Sequence, residues 1–129
     1  MANTVTTQTL LDGPRNLVIL LTGLLDTSDE ARTIKVDVST YDPAPTKVRV
    51  DEIQYSITDG LGVILDWDAT TDVRFAALTG TGELEVCEYG GIQNNAGAGV
   101  TGDIYLTTVA WGSGTKTYTL LLKMTKVSF

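Results

Sequence analysis

Apolar residues alternate with polar ones through most of this sequence, and turn-forming residues cut the alternation into short runs. No other feature constrains the fold as much. A side chain enters a core at every second position only along a strand with one face buried. In "KTYTLLLKM", Tyr118, Leu120, Leu122 and Met124 alternate with Thr117, Thr119, Leu121 and Lys123. In "GVILDWD", Val63, Leu65 and Trp67 lie opposite Ile64, Asp66 and Asp68. "TIKVDVS" sets Ile34, Val36 and Val38 against Lys35 and Asp37, and "DVRFAAL" groups Val73, Phe75 and Ala77. Further strands are expected at Leu17–Leu21, Leu84–Tyr89 and Ile104–Val109. "KVRVDEIQYSI" changes phase near Asp51, as a β-bulge would make it do.

Turn chemistry punctuates these runs at "DGP", "YDPAP", "TDG", "TGTG" and "WGSG". The pattern predicts an all-β chain of about eight strands in a single domain over residues 1–129. An antiparallel β-sandwich or jelly roll, or a small barrel, fits such spacing. Residues 1–13 are either an extended N-terminal arm or the first strand of that domain. Leu24–Ala31 is the one weak helical candidate, and a single turn or loop is the simpler expectation.

With 129 residues, 43% hydrophobic and 19% charged, the chain is long enough and apolar enough for one packed core. No apolar run approaches the roughly 20 residues of a membrane-spanning helix, so no membrane partner is expected. The opening "MANTVTTQTLLDGP" lacks the basic start and apolar centre of a signal peptide, which implies synthesis in the cytoplasm. The net charge is −7, there is no histidine, and the nine Lys and Arg residues are scattered. Such a chain repels phosphate backbones, so direct nucleic-acid binding is disfavoured. Cys87, the one cysteine, lies between glutamates in "ELEVCEY", which favours a small strand residue over a reactive thiolate.

Gly97–Gly102, "GAGVTG", matches the G-x-G-x-x-G spacing of phosphate-binding loops. A dinucleotide fold needs a helix to open at these glycines and an acid about 20 positions on. Here "DIYLTTVAW" reads as a strand, and no acidic residue follows Asp103. A flexible inter-strand loop is the better reading. Asp66, Asp68 and Asp72 in "DWDATTD" fail the calcium-loop spacing, although Asp66 and Asp68 could share a surface ion. Glu83/Glu85 and Asp51/Glu52 could be acid–base pairs for glycoside hydrolysis, but solvated strand faces explain them more simply. Trp67 falls on a core face; Trp111, beside "GSG", is the better exposed aromatic. No residue is assigned to catalysis, to a cofactor or to a metal.

The stretches "MANTVTTQTLLDGPRNLVILLTGLLDTSDEA", "VRVDEIQYSITDGLGVILDWDAT" and "GGIQNNAGAGVTGDIYLTT" resemble a family of short virion proteins of tailed phages. That family is similar to head decoration, or cement, proteins. The resemblance spans nearly the whole chain and implies a non-enzymatic jelly-roll protein on the outer capsid surface. It would bind the phage major capsid protein, bridge adjacent subunits and stabilise the head as a homo-oligomer, with threefold positions favouring a trimer. Other phage parts (tail or head–tail connector) and a glycan-binding module are the alternatives. Expected assembly contacts are Thr4, Val5 and Thr6 in the N-terminal segment, the small-residue loop residues Gly90, Gly91, Asn94, Asn95, Ala96, Gly97, Ala98 and Gly99, and Trp111.

Overall fold

In a computed structural model that describes residues 3–30 and 32–128, nine strands carry nearly all the regular structure. They are β1 (Thr4–Asp12), β2 (Asn16–Leu25), β3 (Thr33–Val36), β4 (Lys47–Ile57), β5 (Gly62–Trp67), β6 (Val73–Leu78), β7 (Thr81–Glu85), β8 (Ile104–Val109) and β9 (Lys116–Ser128). One sheet has the order β1-β2-β9-β4-β7 and the other β3-β8-β5-β6. Every pairing is antiparallel.

The pairings nest. β2 pairs with β9, β3 with β8, β4 with β7 and β5 with β6, so the chain folds as one long hairpin rolled onto itself. β4–β9 and β5–β8 contacts close each sheet. This is the jelly-roll topology, a β-sandwich of two four-stranded sheets. β1 lies outside the nest and adds a fifth strand beside β2. Thr4–Asp12 is thus a strand of the domain itself; Met1 and Ala2 of the expected arm fall outside the described residues.

Intact alternation places the core. Leu17, Ile19, Leu21 and Leu25 of β2, Val63, Leu65 and Trp67 of β5, and Tyr118, Leu120, Leu122 and Met124 of β9 are all buried between the sheets. Each such side chain contributes roughly 1.5–3 kcal/mol on leaving water. The phase change in β4 is a bulge between Val50 and Glu52, and it lets both Val50 and Ile53 face the core.

Elsewhere the alternation misleads. A register shift between Ile34 and Val36 leaves Ile34 exposed and buries Lys35, the reverse of the expected faces. A second shift, between Leu65 and Asp66, puts Ala76 and Leu78 rather than Ala77 in the core. The strand expected at Leu84–Tyr89 covers Thr81–Glu85, and Cys87–Tyr89 forms a 3-10 turn closed by Gly90 at φ 87°. Cys87 is therefore an exposed turn residue and not part of a strand. Leu24 and Leu25 finish β2, bends follow, and no helix forms among the described residues of Leu24–Ala31; Ala31 is outside them.

Candidate functional site

The outward face of the five-stranded sheet is set by the same parity that fills the core. Residues between the buried leucines of β2 and β9 point away, and register aligns them across the sheet. Thr6 of β1 stands opposite Thr22 of β2, Thr22 opposite Thr119 of β9, Thr119 opposite Ser56 of β4, and Ser56 opposite Thr81 of β7. One hydroxyl row thus crosses all five strands. Its ends are tied by Thr6–Thr22 and Ser56–Thr81 hydrogen bonds. The next row is Gln8, Leu20, Leu121, Gln54 and Glu83. Leu20, Leu121 and Thr119 line a shallow hollow of about 370 Å³ between these rows.

Acidic residues gather at one side of this face. Glu52, Glu83 and Glu85 hold carboxylate oxygens within 4.8 Å of one another. They are the described residues that could take up a cation. Gln54 donates to Glu52, and Lys123 lies 3.7 Å from it. Hydrogen bonding to Glu85, with its charge and that of Glu52, raises the Glu83 carboxyl above its ordinary range. Asp51 is not in this group, because its carboxylate takes Arg49 at 2.8 Å and Thr125. Asp51 and Glu52, considered as an acid–base pair, are therefore split between two networks.

The acidic run "DWDATTD" does not form the ion site considered for Asp66 and Asp68. β5 ends at Trp67; Asp66 pairs with Arg74 across the strand, while Asp68 and Asp72 both grip Arg32 at 2.5 Å. The guanidinium lies 3.6 Å from the Tyr105 ring centre and holds the Asp72 carboxyl below its usual value. A resident cation would have to displace an arginine that already fills the space.

The glycine-rich connection is tied to the sandwich at several points. It runs from β7 to β8, that is, from one sheet to the other. Ile92 forms a bridge with Val50, Thr70 N–H donates to Ala98 O at 3.0 Å, and the Thr101 hydroxyl donates to Asp68. Gly91 and Gly99 have positive φ and press against Asp51 and Thr70. Ala96 packs on the core, and its N–H donates to Asn94 Oδ1. Gly90, Asn95, Gly97 and Ala98 remain exposed, and Asn94 and Gly91 are half-buried.

Trp67 is fully buried and stacked on Phe75, with ring centres 4.2 Å apart. Trp111 departs from the expected exposed contact. It is half-buried against the core, and its indole N–H donates to Leu25 O and Gly114 O. Thr4, Val5 and Thr6 are exposed on β1, at the opposite margin of the sheet from the acidic cluster. The structure thus joins Thr4 and Thr6 to the hydroxyl face and leaves the Gly90–Gly99 loop elsewhere. Sequence reasoning missed Thr22, Thr119, Ser56 and Thr81, whose only signal was their polar parity.

No protein-family model matches the sequence, and no curated protein matches it. Among solved structures, the chain is similar to a cupin superfamily protein from Desulfitobacterium hafniense. The identity is 12%, coverage is 95% of this chain and 79% of that one, and the TM-score is 0.36. It is also similar to Peruvianin-I, a cysteine peptidase from Thevetia peruviana latex. There the identity is 13%, coverage is 99% and 68%, and the TM-score is 0.41.

Proposed function

We propose that this chain is a non-enzymatic virion protein that binds the outer surface of an assembled phage head and bridges major capsid subunits. The observation that carries this reading is the hydroxyl row Thr6–Thr22–Thr119–Ser56–Thr81 on a chain of net charge −7. Away from the margin that carries Glu52, Glu83 and Glu85, a face of Thr, Ser, Gln and Leu can lie against a protein partner without stripping water from ions, which is costly unless each ion is paired. The sequence resemblance to virion proteins points to the shell as that partner. A protein that binds only the assembled shell stabilises it by mass action, and many copies multiply the effect.

The test is to mix the purified chain with undecorated capsids of the same phage. Binding and a higher capsid melting temperature are expected, with both lost in Thr22→Glu/Thr119→Glu. Ala98→Trp probes the loop more cleanly than any change at Ala96, which packs on the core. No binding by the native chain overturns the proposal. Hundreds of copies per virion fit a head protein, whereas about six or twelve would assign the chain to a connector.

A further inference from the structure

Among the described residues the two sheets end in four free edges, β1 and β7 in one and β3 and β6 in the other. Natural proteins blunt such edges with charge, shortness or cover, because an open ladder of N–H and C=O groups invites another strand. Three of these edges follow that rule. β7 has five residues and carries Glu83 and Glu85, β3 has only four residues, and β6 has six with an exposed Arg74. β1 does not. It is nine residues long, and Thr4–Leu11 contains no charge and no proline. All nine residues of the strand are exposed, with Leu10 at 49% and Leu11 at 47%.

We infer that β1 pairs edge to edge with β1 of a second copy, antiparallel about a twofold axis, joining two five-stranded sheets into one of ten. Charge selects the occupant. Two chains of net charge −7 repel each other, and this edge brings only Thr, Val, Gln and Leu together. β1 against a neighbour's β7 would instead set it beside Glu83 and Glu85 and build an open, non-closing chain. An axis at Thr7 places Thr6 opposite Gln8 of the other copy and Val5 opposite Thr9, so residues of like face meet. The bulge between Thr9 and Leu11 twists the strand where that pairing would end. The pairing is independent of the capsid reading, and it makes the free chain a twofold dimer where threefold head positions suggest a trimer.

Sedimentation of the purified full chain over a concentration series tests this. The native chain should have twice the monomer mass, and Val5→Lys/Thr7→Lys, both at exposed positions, should halve it. Unchanged fluorescence of the buried Trp67 would show that the fold survives. In a Cys87→Ser background, Thr7→Cys should oxidise to one disulfide-linked dimer, since residues opposed across an antiparallel pair lie within disulfide reach. A monomeric native chain, a trimer, or a dimer that ignores both lysines would overturn the inference.

Discussion

Lys35 Nζ lies 2.7 Å from Glu30 Oε2, and the two side chains are only 3% and 7% exposed. The other carboxylate oxygen accepts the Tyr118 hydroxyl at 2.6 Å, and the Glu30 N–H donates to Thr108 Oγ1. One acid thus ties the segment before β3 to β8 and to β9. Removing one member of such a pair leaves an unpaired buried charge, at a typical cost of about 3–5 kcal/mol. Lys35→Met should therefore destabilise the chain by about that much in urea unfolding. Glu30→Gln/Lys35→Met should recover most of the loss, because neither charge remains. Equal stabilities of the single and double variants would show that packing, not charge, decides the site.

Tyr118 reaches Glu30 by crossing Gly23, its partner residue on β2. A Cβ at Gly23 would fall 2.2 Å from Tyr118 Cε2. The ring cannot move aside without giving up its hydroxyl bond and its place in the core. Gly23→Ala should cost roughly 1–3 kcal/mol, the usual range for overpacking, and Gly23→Ala/Tyr118→Leu should lose much less than the sum of the two single changes. Thermal melting of the four proteins measures that coupling.

These two sites mark where sequence reasoning stops. Leu17–Leu21 of β2 is apolar throughout, and its parity is set by the fold. In β5 and β9 the alternation holds, so Val63 and Leu120 could be assigned to the core from their spacing. Lys35 could not, because its burial needs both a bulge at Ile34/Val36 and a carboxylate five residues earlier. Alanines carry little parity signal, so spacing alone does not tell the buried Ala76 from the exposed Ala77. Alternation says which face a residue takes but not which strand lies beside it. The nested pairing, and with it the row from Thr6 to Thr81, is therefore a property of the fold alone. Trp111 shows the same limit, since the carbonyl of Leu25 that anchors its indole is far away in sequence.

Acid should unfold the chain partly through Asp12. The Lys126 ammonium, buried and 2.6 Å away, holds this carboxyl below its ordinary 3.8, with the Asp42 N–H adding to the effect. A carboxyl whose folded pKa is depressed contributes stability above its unfolded value and loses it as pH falls through the folded one. Asp12→Asn should therefore lower stability at neutral pH and flatten the decline below 3.8. Burial raises Asp103 above its ordinary 3.8, so this group adds stability as pH falls toward 3.8, and Asp103→Asn should steepen the decline above 3.8 rather than below it. Melting temperatures followed from neutral pH into acid separate the two, and parallel curves would contradict both assignments.

The glycine loop offers a contrast within a few residues. Gly102 is buried at φ +88°, and a Cβ there would sit 2.0 Å from the carbonyl oxygen of Thr46. The obstacle is backbone, so no side-chain rotation relieves it, and the left-handed conformation itself costs an ordinary residue roughly 1–2 kcal/mol. Gly97 has no atom within 4 Å of its Cβ position and no positive φ. Gly102→Ala should lose more than about 2 kcal/mol, whereas Gly97→Ala should be neutral or gain up to about 1 kcal/mol by restricting the unfolded chain. Chemical denaturation of both variants checks this. Equal tolerance would mean that the loop is not fastened at Gly102, and that its crossing between the sheets leaves it free to rearrange against a partner.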